Sequence, residues 1–156
     1  MMKNKIPQMC LLFSLILISN FSIAQQKQFI NPDSLPPVSK NYTQAISVKG
    51  GRTVYVSGQV PTNAKGELVG HGDFRTQVKK AFDNLRTVLS AAKATPADVV
   101  KITIYVVNLN EEKLPVVREY LKDFVAAQPP TAILLGVQSL FNKEAMVEIE
   151  AIAVTQ

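Results

Sequence analysis

The sequence predicts one α+β domain over residues 41–156, in which two helices pack on one face of a mixed β-sheet. Two observations predict this class. Apolar residues recur at the spacing of one helix face in residues 73–93 and 111–126. Between and around these helices, β-branched runs and alternating apolar and polar residues predict strands. The five strand segments are residues 42–48, 53–57, 99–109, 131–137 and 146–154.

The first 24 residues predict a secretory signal peptide that is not part of the fold. A lysine-containing start precedes an apolar core at residues 9–18, and residues 22–24 fit a small-x-small cleavage site. The apolar core is too short for a membrane span. Cleavage after Ala24 would leave 132 residues without cysteine, because Cys10 is the chain's single cysteine. We therefore expect a secreted, periplasmic protein that has no membrane attachment once the signal is removed.

Charge and residue types argue against several function classes. The chain has 17 Lys+Arg and 12 Asp+Glu, and removing the two lysines of the signal leaves a net charge of +3. A charge this mild and scattered does not predict a nucleic-acid partner. The one histidine, His71, cannot hold a metal alone, and no phosphate-binding glycine loop precedes a helix. We expect neither a metal nor a cofactor.

The segment before the domain is predicted to be extended. Residues 25–40 are polar and contain three prolines, so we expect a lead-in without a core and regular structure that starts near residue 42. Residues 42–48 and 53–57 flank Gly50 and Gly51, which can supply the positive φ angles of a tight turn. These two strands are therefore predicted to form an antiparallel hairpin.

Local signals also define the helix ends and the strand between the helices. Asp73 is a suitable N-cap for the helix at 73–93. Pro115 falls in the first turn of the helix at 111–126, where a missing N–H costs little. Residues 99–109 are rich in β-branched side chains and predict a buried strand.

The C-terminal strand at 146–154 is apolar on one face and carries Glu148 and Glu150 on the other, which is otherwise apolar. Strands that are apolar on both faces are usually central and covered on both sides. Desolvated carboxylates there would be candidate catalytic acids or bases. Carboxylates at a solvent-exposed edge of the sheet would only increase solubility. Because the chain offers no third layer for the second face, we expect a homo-oligomer.

Five motifs in collinear order resemble the YjgF/RidA family from residue 42 to residue 154. They are YTQA at 42–45, VSGQVP at 56–61, FDNL at 82–85, DVVKITIYV at 98–106 and VEIEAIAV at 147–154. The resemblance implies a chorismate-mutase-like α+β fold and a homotrimer with clefts between subunits. It also implies a small-molecule substrate, because the family hydrolyses reactive enamines and imines to a carbonyl compound and ammonia.

The resemblance assigns roles position by position. Glu148 falls on the family's water-activating glutamate. Tyr42 falls on a tyrosine near the cleft, and Ser57 and Gly58 fall on the Ser-Gly pair that lines it. Gln59, the next residue of that motif, is also a candidate for substrate binding.

The segment after Pro130 departs from the family pattern. Ala132 stands where active deaminases carry the arginine that binds the substrate carboxylate, and Leu134 stands where they carry a cysteine. A carboxylate that enters a cleft without such a partner loses solvation, so the segment favours a neutral or apolar ligand. No basic residue lies between Lys122 and Lys143. A substitute cation would come from Lys143, from elsewhere in the fold or from a neighbouring subunit.

Two function classes follow from these residues. The first is imine hydrolysis, in which Glu148 activates the water. The second is a non-catalytic trimer that binds a small apolar ligand, with Glu148 only as a hydrogen-bond partner. RNA cleavage, a third activity attached to parts of the family, is disfavoured because the sequence shows no basic, aromatic-rich groove.

Overall fold

The computed structural model describes residues 25–38 and 40–156, so the predicted signal peptide lies outside the described residues. Within them, no helix has the length and apolar character needed to cross a membrane. A short 3-10 turn, Pro96–Asp98, follows the first helix. The elements in chain order are β1 (Gln26–Ile30), β2 (Ala45–Lys49), β3 (Arg52–Gln59), α1 (Phe74–Ala91), β4 (Val99–Val107), α2 (Lys113–Phe124), β5 (Thr131–Val137) and β6 (Val147–Thr155).

The main sheet has four strands in the order β3-β6-β4-β5. β6 runs antiparallel to both of its neighbours, and β5 runs parallel to β4, so the sheet is mixed. β6 and β4 occupy the centre because each is apolar along the face that meets the helices. Val147, Ile149 and Ala153 of β6 are fully or almost fully buried there. The predicted α+β class is confirmed.

The helices form where their apolar spacing and caps predict them. The Asp73 carboxylate accepts a hydrogen bond from the backbone N–H of Thr76 at 3.2 Å. This bond satisfies one of the backbone donors that the first turn of α1 leaves unpaired. α1 and α2 meet through aromatic rings, with Phe82 and Phe124 centroids 5.3 Å apart. Both phenylalanines belong to the buried core between the helices and the sheet.

Two predictions for the N-terminal part are wrong. Regular structure starts at Gln26 in β1, well before residue 42, and β1 pairs antiparallel with β2. The predicted hairpin does not form, because β2 pairs with β1 while β3 pairs with β6. Gly50 and Gly51 do have positive φ angles of 73° and 86°. A Cβ on Gly51 would also lie 2.5 Å from the carbonyl oxygen of Thr155, so glycine is required by close approach to β6 as well.

The sheet face opposite the helices is left uncovered by the described chain. Residues that pair across strands share a face, which places Glu148, Tyr105 and Leu135 in one row on this side. Apolar side chains are prominent here: Tyr55 is 79% exposed, Ile133 44% and Leu135 43%. An exposed apolar face of this kind is a typical site of subunit contact.

Candidate functional site

Glu148 packs directly against the backbone of Gly58. A Cβ built on Gly58 would lie 1.7 Å from the Oε1 atom of Glu148 and 2.6 Å from its Cδ atom. Any side chain larger than that of glycine at position 58 would therefore clash with this carboxylate. The β3–β6 register shifts between Val56 and Gln59, and such an irregularity turns side chains away from regular strand positions.

Ser57 and Gln59 complete this first group of predicted site residues. Ser57 is exposed, and the Gln59 side chain donates a hydrogen bond from Nε2 to the Ser57 carbonyl oxygen at 2.9 Å. Among the described residues, none donates a hydrogen bond to the half-buried Glu148 carboxylate. Its oxygens are thus available to accept hydrogen bonds from a ligand or from water. The structure brings together Glu148, Ser57, Gly58 and Gln59.

Tyr105 is a neighbour of this group that the sequence reasoning missed. It pairs with Glu148 between β4 and β6, and its hydroxyl donates a hydrogen bond to Glu150 Oε1 at 3.3 Å. Desolvation raises the pKa of the Tyr105 phenol, and the negative charges of Glu150 and Glu148 and the hydrogen bond raise it further. Tyr105 is therefore a neutral hydrogen-bond donor at physiological pH. Only the strand register, which the sequence pattern does not give, could have revealed it.

A cavity of about 230 Å³ lies beside Glu150 on the same face of the sheet. It is lined by groups of both charges, Lys101 and Glu150, and by Ser57. The Thr103 hydroxyl, which also belongs to this lining, is buried without a hydrogen-bond partner among the described residues. The uncovered face thus carries a hydroxyl group next to Glu150 that could hydrogen-bond a ligand.

Tyr42, Ala132 and Leu134 form a second group elsewhere. They line a cavity of about 170 Å³ between α2 and β5, together with Arg118 and mostly apolar side chains. Thr43 anchors the chain beside Tyr42, because its N–H donates to the Pro130 carbonyl at 2.9 Å. Its hydroxyl donates to the Pro129 carbonyl at 2.8 Å. These two bonds hold Tyr42 over the start of β5.

The two groups lie on opposite faces of the sheet. Ala132 pairs with Ile102, which pairs with Ala151, so Ala132 points to the helix side. Glu148 points to the uncovered side. A single chain therefore does not bring the predicted catalytic carboxylate to the position where the family's arginine would stand.

The described residues contain no group of three His, Cys, Asp or Glu side chains that could hold a metal ion. His71 lies in an exposed loop, where its Nδ1 atom is 3.4 Å from Glu144 Oε1. Both side chains are exposed, so the pair contributes little to the stability of the fold.

Comparison with known proteins places this geometry in a family. A family model described as Endoribonuclease L-PSP matches residues 33–155. The solved structure of the conserved Rid family protein YyfB from Yersinia pestis is similar, with a TM-score of 0.78 and 38% identity. The alignment covers 83% of this chain and 98% of that one. The chain belongs to the YjgF/RidA family. The resemblance predicted from the motifs is confirmed.

Other RidA-family relatives carry more specific names. A protein from Dermatophagoides farinae named 2-iminobutanoate/2-iminopropanoate deaminase is 35% identical over 130 residues, which is 83% of this chain and 98% of that protein. A rat protein of the same name is 33% identical over 129 residues, 82% of this chain and 90% of that one. The structure of RidA from an Antarctic Psychrobacter species gives a TM-score of 0.60 at 30% identity, covering 82% and 99% of the two chains.

Proposed function

We propose that this protein is a RidA-like deaminase that hydrolyses reactive imines and enamines to a carbonyl compound and ammonia. The names of the mite and rat relatives support the reaction class. The observation that carries the proposal is the contact between the Glu148 carboxylate and Gly58. It holds a carboxylate, to which no described residue donates a hydrogen bond, against the half-buried backbone of Gly58. A carboxylate so placed is available as a general base for a water molecule.

The reaction balances with Glu148 as the one proton carrier. Glu148 accepts a proton from water as the water oxygen attacks the imine carbon, so a C–O bond forms and the C=N bond becomes single. The carboxylic acid then returns the proton to nitrogen. Glu148 then takes the proton of the new hydroxyl group and passes it to the amine nitrogen, so that the C=O bond forms as the C–N bond breaks and ammonia leaves. Ser57, Gln59 and the Gly58 backbone are hydrogen-bonding groups for the substrate beside this carboxylate.

The complete site is proposed to lie between two copies of the chain. One copy supplies Glu148 and the 57–59 segment, and its neighbour supplies Tyr42 and Ala132. The separation of these groups on opposite faces of one sheet supports this arrangement, as does the exposure of Leu135 on the uncovered face. We propose a homotrimer with three such clefts, which is the assembly that the family resemblance implies.

The substrate class is proposed to differ from that of deaminases that carry the arginine. Ala132 contributes only a methyl group to its cavity, and Ile104, Leu114 and Leu134 make the rest of that wall apolar. An imine with an apolar substituent fits such a wall better than a small, strongly hydrated imine does.

The alternative is a non-catalytic trimer that binds a small ligand. The observation that favours it is the alanine at position 132. The arginine that binds the substrate carboxylate in active deaminases is missing at this position. A ligand that raises the melting temperature without being turned over would support this alternative.

Ammonia release from freshly generated imines tests the proposal. One imine should carry a carboxylate and the other should be neutral and apolar. We expect turnover by the mature chain and a loss of about 100-fold or more in Glu148→Gln, since general acid–base catalysis contributes that much. Glu111→Gln, at an exposed glutamate in the turn before α2, is the matched control and should keep full activity. Equal turnover by Glu148→Gln and the wild type would overturn the proposal.

Ribonuclease activity is not part of the proposal, although the description of the family model names an endoribonuclease. Single-stranded RNA is normally bound by a basic groove with stacked aromatic side chains. The mature charge of +3 is spread along the chain instead. RNA cleavage that keeps a constant specific activity through successive purification steps would contradict this choice.

Export to the periplasm is proposed from the N-terminal pattern of residues 1–24. The expected mature N-terminus is Gln25. Cell fractionation followed by N-terminal sequencing checks both points, and removal of residues 2–24 should leave the protein in the cytoplasm. Full-length protein found in the cytoplasm would contradict the prediction.

A further inference from the structure

We propose that Arg118 of α2 binds the acidic group of the ligand, which makes the cavity between α2 and β5 a binding site for a small carboxylate with an apolar body. The inference deepens the proposed function and rests on it for the identity of the natural ligand. It does not require turnover, because binding of a carboxylate to this cavity can be measured directly.

The cavity combines an apolar wall with one cation. Arg118 is the single charged residue among the described residues that line it, and Tyr42 and Asn41 are its other polar residues. Ala132 forms part of the lining, and a longer side chain there would extend into this space. The apolar members of the lining are Ile104, Leu114, Val117, Leu121, Ala132, Ile133 and Leu134.

Arg118 differs from the other three arginines because it has no partner among the described residues. Arg75 forms an ion pair with Glu119 at 2.8 Å. Arg52 donates to the Ala92 carbonyl at 2.6 Å, and Arg86 donates to the Asp123 carbonyl at 2.9 Å. Within residues 25–38 and 40–156, Arg118 has no hydrogen bond or ion pair. Its guanidinium is therefore available for bidentate binding of a carboxylate.

The surroundings reinforce the positive charge. A neighbouring cavity shares Tyr42 and is lined by Lys40 and Lys122. Lys122 lies one helical turn after Arg118 on α2. No carboxylate side chain is among the described residues that line either cavity. Both cavities thus favour an anion over a cation.

Cavity size limits the apolar part of the ligand. An apolar protein cavity of about 150 Å³ holds one benzene molecule. The Arg118 cavity, of about 170 Å³, admits an apolar body of similar size. This chain then recognises the acidic group from helix α2, whereas the family resemblance places that cation at position 132 on β5.

Isothermal titration calorimetry with benzoate and its neutral isostere benzamide tests the inference on the mature protein. We expect benzoate to bind at least tenfold more tightly than benzamide. Arg118→Gln should remove that preference, and Arg118→Lys should restore part of it. Lys143→Gln removes one exposed positive charge at the other candidate position and should leave both affinities unchanged.

Three results would overturn the inference: no benzoate binding by the wild type, unchanged benzoate affinity in Arg118→Gln, or an equal loss in Lys143→Gln. The outcome is separate from that of the deaminase proposal. Benzoate binding that depends on Arg118, together with absent imine turnover, would refute only the deaminase. Turnover that depends on Glu148, together with benzoate affinity that is unchanged in Arg118→Gln, would refute only the role of Arg118.

Discussion

At the scale of single residues, the proposed chemistry depends on the contact between Glu148 and Gly58. The glycine has no side chain, so the carboxylate can lie against the backbone of the neighbouring strand. The sequence predicted both residues through the family motifs. It could not predict their contact, because that contact depends on the register irregularity between Val56 and Gln59.

Gly58→Ala should abolish deaminase activity without unfolding the protein. The added Cβ would overlap the Glu148 carboxylate, which is the flexible end of a side chain and can move away. We expect a loss of turnover similar to that of Glu148→Gln and a small change in melting temperature. Gly136→Ala is the control, since the nearest atom to its Cβ would be the Cβ of Leu109, at 3.2 Å, and activity should persist. Full activity in Gly58→Ala would show that the observed carboxylate position is not the productive one.

Tyr105 gives a prediction for the pH dependence of stability. Its folded-state pKa is raised above the unfolded value of about 10. The folded protein therefore holds the phenolic proton more tightly, and the associated stability is complete below pH 10 and falls as the pH rises further. Urea unfolding at pH 8 and above pH 10 should show a larger loss in the wild type than in Tyr105→Phe. Equal losses in the two proteins would contradict the assignment.

At the scale of elements, the sequence predicted both helices and every strand except β1, but not which strands pair. The Asp73 cap and the alternation in β6 are local features, and both predictions were right. The partner of β3 depends on contacts with a strand about 100 residues later, which local periodicity does not encode. β1 was missed because its polar residues and the prolines that follow it hide a short alternating pattern.

The turn between β2 and β3 provides a matched test of this topology. Gly51→Ala should be considerably more destabilising than Gly66→Ala. Both positions have positive φ angles, 86° and 80°, so each substitution costs about 1–2 kcal/mol for backbone strain. At Gly51 the Cβ would also meet the Thr155 carbonyl at 2.5 Å, whereas at Gly66 it would meet nothing within 4 Å. Urea unfolding measures the difference, and equal costs would argue against the close approach of this turn to β6.

At the scale of the whole molecule, the positions of the two groups of site residues support the proposed assembly. Glu148 and Ala132 lie on opposite faces of one sheet, and the face that carries Glu148 is uncovered. The sequence predicted an oligomer from that second apolar face. It could not predict that Glu148 and Ala132 lie on opposite faces, because that depends on how β5 and β6 are each aligned with β4.

Complementation between two inactive variants tests the central claim most directly. Glu148→Gln removes one half of the site, and Ala132→Phe fills the cavity of the other half. Each variant is first purified alone and checked for folding and oligomeric state, and the two are then mixed by joint refolding. If the site lies between subunits, about one quarter of the clefts in random mixed trimers contain two intact halves. Ammonia release should then recover to about one quarter of the wild-type rate, whereas a mixture as inactive as either variant alone would contradict a Glu148-dependent site shared between subunits.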